Sequence, residues 1–511
     1  MALGRTFAVA LMGVRGDIVE VEADISAGLP AFVLIGLPDT ALGESRKRVT
    51  SAAVNAGVPL AQRKLTVNLS PAALRKQGSA FDLAIAIAAL TASGVIPAES
   101  AARTVHLGEL GLGGRLRPVL GVLPSVLAAR AAGFRRVLVP TANADEAALV
   151  DGVEVVAVPG LRAAAIAHGS ELDPIEVDPV PAAGTVLPAE PDMSDIAGNE
   201  EAVEALVVAA AGGHNVTMIG LPGAGKTMLA RRLPSLLPDL TPDQALETTS
   251  IRSLAGVGTV GGLIHRPPFE SPRHTASAVA LVGGGSGRIT PGAVVRATNG
   301  VLFLDEAAEF PAAVLDVLRQ PLESGTITIH RASGAATYPA RFQLVLAANP
   351  CPCGQYGSAE EECVCPPAAR RCYLARLSGP LLDRVDLRLT VRRLGLGALR
   401  LGRIGAPTGP PSAALRVRVE AARAAAASRL SGTAWSRNAD VEGSWLRSGP
   451  FRVHGGALFP LDRALERGTI SMRGYERTLR VAWTLADLDQ SPTPTPDHIG
   501  RALYLRRGAP P

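Results

Sequence analysis

The sequence predicts an α/β protein in three parts, and three observations support this. Short apolar or alternating runs recur between segments with helical spacing. A glycine-rich phosphate-loop pattern joins one such run to one such segment. Beyond residue 411 only helical spacing is left. The expected parts are an N-terminal α/β domain over 1–171, a phosphate-loop α/β core over 193–394 and a C-terminal helical bundle over 412–511, with linkers at 172–192 and 395–411. A chain of 511 residues allows about three domains at ~100–200 residues each.

In the first part, Thr6 to Val14, Lys64 to Asn68 and Val137 to Val139 read as strands, and Ser45–Ala56, Ala80–Thr91 and Leu123–Ala132 as helices. The stretch from Leu172 to Asp192 is thick with Pro, Asp and Glu and has no period, which marks a linker. Ser194 is placed to cap a helix over Asn199–Ala211, and a strand over Asn215–Ile219 follows. Strands and helices alternate to about Leu394, which predicts a mostly parallel sheet covered on both faces. Gly405, Pro407, Gly409, Pro410 and Pro411 mark the next boundary, and helical spacing returns at Ser412–Ser428, Leu458–Arg467, Arg473–Leu488 and Pro496–Leu505. No repeat of 20–50 residues is present.

Composition excludes several classes. Hydrophobic residues make up 47% and charged residues 19%, too apolar for a disordered chain. The run Ala84 to Ala92 breaks at Gly94, half the ~18 residues a membrane helix needs. The N-terminus lacks a small-residue cleavage pattern, so a soluble, cytoplasmic chain without a membrane partner is expected. Residues 391–511 hold 19 Arg against 9 Asp and Glu, a local excess that suits a polyanionic partner. With only four lysines in the chain, part of that bias is compositional.

The strongest motif is Gly220-Leu-Pro222-Gly223-Ala-Gly225-Lys226-Thr227, which meets G-x-x-x-x-G-K-[ST] at every fixed position, between a predicted strand and helix. Its glycines let backbone N–H groups converge on phosphate oxygens at a helix N-terminus. Lys226 is expected on the β- and γ-phosphates of ATP, and Thr227 on Mg²⁺. The apolar run Val301–Leu304 ends in Asp305-Glu306, placing two carboxylates where ligands bind in open α/β sheets. Asp305 is assigned to the Mg²⁺ shell and Glu306 to polarising the attacking water, so hydrolysis is expected. The strand Gln343–Ala348 ends at Asn349, which either positions that water or forms a turn before Pro350.

All five cysteines lie between Cys351 and Cys372, too clustered for a disulfide framework. Cys351, Cys353, Cys363 and Cys365 form C-x-C-x₉-C-x-C, which fits either a structural Zn²⁺ or reduced, unligated thiols.

The order of phosphate loop, Leu302-Phe-Leu-Asp-Glu306, Ala347-Ala-Asn-Pro-Cys-Pro-Cys-Gly354 and Leu377-Ser-Gly-Pro-Leu-Leu-Asp-Arg-Val-Asp386 resembles AAA+ ATPases related to magnesium chelatase, and more narrowly the ComM/YifB branch. The first part fits too, with Gly36-Leu-Pro-Asp-Thr40, Asn68-Leu-Ser-Pro71, Gly78-Ser-Ala-Phe-Asp-Leu83 and Gly108-Glu-Leu110. The resemblance implies a Lon-protease-like N-terminal domain, an AAA+ core and a helical lid. It makes Asn349 sensor 1, Arg384 the arginine finger acting on a neighbouring subunit's ATP, and Arg473 the sensor 2 arginine, so a homo-oligomeric ring, a hexamer in the family, is implied. Read locally, Arg384 is also a partner for Asp383 or Asp386, and Arg473 a helix cap.

Two inserts of this family face the ring pore. Here they correspond to the glycine-rich stretch Gly256–Arg288, expected as a projecting loop, and to a hairpin over Thr326–Arg331 and Ala336–Ala340. The resemblance puts Arg331 where MCM helicases carry a DNA-contacting lysine, with Arg273, His274 and Arg288 as further DNA candidates. Aromatic residues are 4%, so sequence-independent electrostatic contact with single-stranded or branched DNA is expected rather than base stacking. The implied function is a helicase that promotes branch migration. The alternatives are a magnesium chelatase-type remodelling motor and a Lon-like protease. The last conflicts with the absence of any lysine between Lys76 and Lys226, which removes the base of a Ser-Lys dyad near Ser79.

Overall fold

The computed structural model describes residues 3–508 apart from 37–39, 59, 61–62, 75, 77, 177, 179–189, 258–261, 286–288, 332–333, 359–361, 394–408 and 454. Arg288, Arg75 and most of both linker stretches therefore lie outside the described residues.

The N-terminal sheet has seven strands in the order β3-β4-β2-β1-β5-β8-β9. They are β1 (Gly4–Met12), β2 (Arg15–Ser26), β3 (Ala31–Ile35), β4 (Lys64–Ser70), β5 (Thr104–His106), β8 (Arg136–Pro140) and β9 (Glu154–Val158), and β6 (Glu109–Leu110) pairs with β7 (Leu116–Arg117) beside it. β1 with β2, β2 with β4, and β6 with β7 pair antiparallel; the remaining pairings are parallel. The helix Asp82–Ala92 is buried from Asp82 to Thr91. Its apolar run is all-round because it fills the centre of this domain, and no helix among the described residues is long and apolar enough to cross a membrane.

The second sheet is wholly parallel, in the order β11-β14-β17-β10-β18. Its strands are β10 (Val216–Gly220), β11 (Phe269–Glu270), β14 (Val301–Leu304), β17 (Gln343–Ala348) and β18 (Leu387–Val391). All of β14 and β17 is buried, as near-continuous apolar strands require when both faces are covered; the one polar residue, Gln343, donates to Ala209 O and His214 O. On one face the helices Glu200–Gly212 and Lys226–Leu236 share a core with the C-terminal helices Ser412–Arg429, Met472–Leu488 and Pro496–Arg507 through Val207, Leu233, Val419 and Trp483. On the other face, Leu304, Leu346 and Phe310 pack with Ile327 and Tyr338 of the hairpin β15 (Thr326–Arg331) and β16 (Gly334–Pro339).

Two expectations need correction. Ser194 lies inside a short turn whose cap is Asp192, and the helix Glu200–Gly212 starts after Asn199 at φ +57°. The glycine-rich stretch does not simply project: β12 (Gly283–Gly284) pairs antiparallel with β13 (Thr290–Pro291) and is buried. A Cβ at Gly283 would come within 2.5 Å of Thr290 O, so the glycine is what admits the close ladder.

The N-terminal domain rests on the core. Ser253 Oγ donates to Glu146, and Leu11 and Val14 pack against the apolar cluster beneath the hairpin.

Candidate active site

The carboxyl ends of β10, β14 and β17 lie side by side because Ile219 pairs with Ala348 and Leu304 with Leu346. Each strand therefore delivers its next residues to one edge. After β10 the loop turns at Gly225, φ +92°, the left-handed region that favours glycine. A Cβ at Gly220 would lie 2.3 Å from Val391 O, so neighbouring backbone already fills that space.

Lys226 is buried, and its Nζ donates to Gly220 O at 2.7 Å, Leu221 O at 3.0 Å and Asn349 Oδ1 at 3.1 Å. Burial lowers the pKa of its amine, while Asp305 and Glu306 oppose that shift. Thr227 Oγ1 donates to Asp305 Oδ2 at 2.7 Å. The all-oxygen pair suits a hard divalent cation such as Mg²⁺. Glu306 adopts φ +51°, ψ +42°, a left-handed backbone costing a non-glycine residue about 1–3 kcal/mol. Its carboxylate is half exposed, and Oε2 lies 3.0 Å from His274 Nδ1.

His274, expected as a DNA contact, is half exposed and sits against Glu306. Arg273, next to it, is exposed. Arg331 pairs with Gly334 at the end of β15.

Arg384 and Arg473 lie elsewhere. β18 runs parallel to β10, with Val216 opposite Leu387 and Gly220 opposite Val391. Arg384 precedes the amino end of that sheet and Lys226 follows its carboxyl end, at least a five-residue strand of ~16 Å apart. The Arg384 side chain is 8% exposed and bonded to Glu323 and Pro380 O. The local pairing with Asp383 or Asp386 is replaced by Glu323, a partner 61 positions away in sequence. Burial lowers its pKa, and the nearby charges of Arg319, Arg473 and Arg477 add to that. Arg473 is exposed in the first turn of its helix, whose cap is Ser471. Arg477 donates to Asp386 Oδ1 at 2.6 Å, and Asp386 Oδ2 accepts from Asn215 N at 3.0 Å, fixing that helix to the base of β10 and β18.

The Sγ atoms of Cys351, Cys353, Cys363 and Cys365 all lie within 4.8 Å of one another. Separations of 3.4 Å and 3.6 Å approach the ~3.7 Å edge of a tetrahedron with Zn–S bonds of about 2.3 Å. The backbone N–H of Gln355 and the Cys351 thiol pull Cys353 down to about 6, whereas burial pushes Cys363 up to about 11 and Cys365 is also raised, so without a cation nearby the crowded thiols resist ionising together. Cys372 is exposed and outside the cluster.

In the N-terminal domain, Lys76 is buried with Nζ donating to Pro71 O, and Ser79 Oγ donates to Glu109. Neither forms a Ser-Lys dyad with the other.

Glu323 and the His274 contact carried no local sequence signal, since each partner is more than 30 residues distant in the chain.

Comparison with known proteins identifies the lineage. Family models match over 21–143 (subunit ChlI of Mg-chelatase), 192–399 (magnesium chelatase, subunit ChlI) and 409–506 (its C-terminal region). An uncharacterized Mycobacterium tuberculosis protein, Rv2897c, is 49% identical over 99% of both chains. YifB of Escherichia coli is 40% identical over 99% of this chain and 97% of its own, and the competence protein ComM of Haemophilus influenzae 40% over 99% and 98%. With that likeness running from end to end, and with phosphate loop, acidic strand end and polar strand tip gathered at one sheet edge, the chain belongs to the ComM/YifB family of magnesium chelatase-like AAA+ proteins.

Proposed function

We propose that this protein hydrolyses ATP in a homo-oligomeric ring, hexameric by family expectation, and uses the energy to move along DNA. The convergence of Lys226, Thr227, Asp305 and Asn349 carries the reading. A triphosphate takes the place of the carbonyls that now hold Lys226, with loop N–H groups around its phosphates. Mg²⁺, held by Thr227 and Asp305, would supply positive charge to those phosphates. Glu306 accepts a proton from the attacking water, and Asn349 holds that water in line. The strand length separating Arg384 from Lys226 supports a finger acting on the neighbouring subunit, with Arg473 beside it.

The DNA reading is supported by the hairpin carrying Arg331, by Arg273, by the basic C-terminal third and by the competence name of one relative. A pore ringed by such hairpins would follow a phosphate backbone without reading bases, and promote branch migration as single strands are taken into a duplex. The four cysteines would hold a structural Zn²⁺. The matched family names favour one rival, a chelatase-type remodelling motor.

The test is ATP hydrolysis and branched-DNA unwinding by the purified chain, with and without DNA. DNA-stimulated turnover that fades between about 50 and 200 mM salt, and that Arg331→Ala abolishes while basal turnover persists, is the expected result. Stimulation only by a chelatase partner with porphyrin would replace this reading with the rival.

A further inference from the structure

We propose that a cavity on the face of the parallel sheet opposite the helix Lys226–Leu236 is a second ligand site, built for a phosphate-bearing mononucleotide. The cavity has a volume of about 600 Å³, within the ~300–1,000 Å³ that encloses ligands of nucleotide size.

Its placement follows from strand alternation. Met218 and Leu389 pair across β10 and β18 and point into the core shared with Leu229 and Leu233 of the phosphate-loop helix. Arg388 and Thr390, paired with Thr217 and Ile219, point to the other face. A ligand there is divided from Lys226 by the sheet itself.

Its charge is one-sided. Arg370, Arg371, Arg388 and Arg507 line it, and among the described lining residues none is Asp or Glu. None of the four arginines forms an ion pair among the described residues. Arg371 and Arg507 are exposed, but Arg370 and Arg388 are half-buried, and they differ in this from other buried or half-buried arginines such as Arg232, Arg266, Arg384 and Arg429, which face a carboxylate. The Nε–H of Arg388 is buried without a hydrogen-bond partner among the described residues. A donor withdrawn from water and left unpaired is what an anionic ligand would satisfy. Guanidinium groups match phosphate oxygens in planar, paired bonds.

The remaining wall suits a base. The Arg370 guanidinium lies 4.2 Å from the centre of the Tyr356 ring, and Pro350, Pro367 and Leu374 complete an apolar surface beside it. Tyr356 N–H donates to Cys351 Sγ at 3.3 Å, so the cysteine cluster fixes this platform. One nucleotide fills such a volume; a continuous strand does not.

The experiment uses full-length protein carrying Lys226→Ala, which disables the phosphate loop and removes no side chain that lines the cavity. Calorimetric titration with ADP is expected to give one site per chain, against two in the unsubstituted protein. Adding Arg388→Met or Arg370→Glu is expected to weaken that retained site at least tenfold, with unchanged melting temperature. The two substitutions lie on different elements, so a folding defect in one leaves the other informative. Pyrophosphate is expected to compete, and a single-stranded oligonucleotide is not. The proposal is overturned if Lys226→Ala protein binds no ADP at millimolar concentration, if both arginine substitutions leave binding unchanged, or if the oligonucleotide displaces ADP. None of these outcomes bears on the ATP reading, which Lys226 carries on the other face.

Discussion

His274 Nδ1 and Glu306 Oε2 lie 3.0 Å apart, although His274 belongs to the segment between β11 and the short helix Ala278–Val282 and Glu306 to the end of β14. The contact engages the carboxylate proposed to activate water. His274 also leads, within ten residues, into the β12 ladder of the glycine-rich insert. A ligand that shifts the insert would thereby free Glu306.

Replacing Glu306 with Gln removes the proton acceptor at constant size. ATP binding is expected to persist while turnover falls about 10²–10⁴-fold; normal turnover would remove Glu306 from the chemistry. His274→Ala is expected to raise turnover without DNA and to shrink the stimulation DNA gives. An unchanged ratio of stimulated to basal rate would show the contact to be incidental.

On the proposed reading Arg384, which precedes the amino end of β18 while Lys226 follows the carboxyl end of β10, acts on the ATP of a neighbouring chain, which makes complementation a direct test. Arg384→Ala and Lys226→Ala proteins are each expected to be inactive, with finger loss alone costing about 10³–10⁵-fold. Mixing them creates interfaces with an intact loop on one side and an intact finger on the other, and activity should partly return. No recovery in mixed rings whose assembly is confirmed by light scattering would sink the shared-site reading.

The thiol cluster gives a metal prediction. Purified protein is expected to carry one zinc per chain, and Cys351→Ser with Cys363→Ser should abolish it and lower the melting temperature, since four thiolates then no longer hold a loop with little apolar core. Stoichiometric zinc surviving that double substitution would place the metal elsewhere.

A pH prediction comes from the N-terminal domain, where Thr6 Oγ1, His106, His168 and Ser100 Oγ form one buried chain at 2.5 Å, 2.9 Å and 2.8 Å. Burial, then the neighbouring His168, pushes His106 well below its ordinary value; burial, then Arg136, pushes His168 down from 6.5 to about 4. The two Nε2 atoms share one hydrogen, so the folded pair resists a second. As pH falls from 6.5 towards 4 the unfolded chain takes up protons that the folded chain refuses, and stability drops by roughly 1.4 kcal/mol per pH unit for each group. Thermal melts at pH 8 and pH 5 should differ, and His168→Asn should flatten the difference. An equal slope in both proteins would assign the acid sensitivity to other groups.

Much of this was legible in the chain. The strand Gln343–Ala348 follows from a short unbroken apolar run, and the hairpin at Thr326 and the C-terminal helices from periodicity, because a two- or 3.6-residue repeat of apolar side chains records which faces are buried. The phosphate loop and Asp305 are equally local, since each function needs only a few consecutive residues at a strand end. Partners brought together by folding left no such record. Glu323 on Arg384, His274 on Glu306 and the four arginines around one cavity depend on strand order and on which face each residue takes. A charged residue's own neighbours in sequence do not state which distant group it will meet, and only packing five parallel strands in the order β11-β14-β17-β10-β18 decided that.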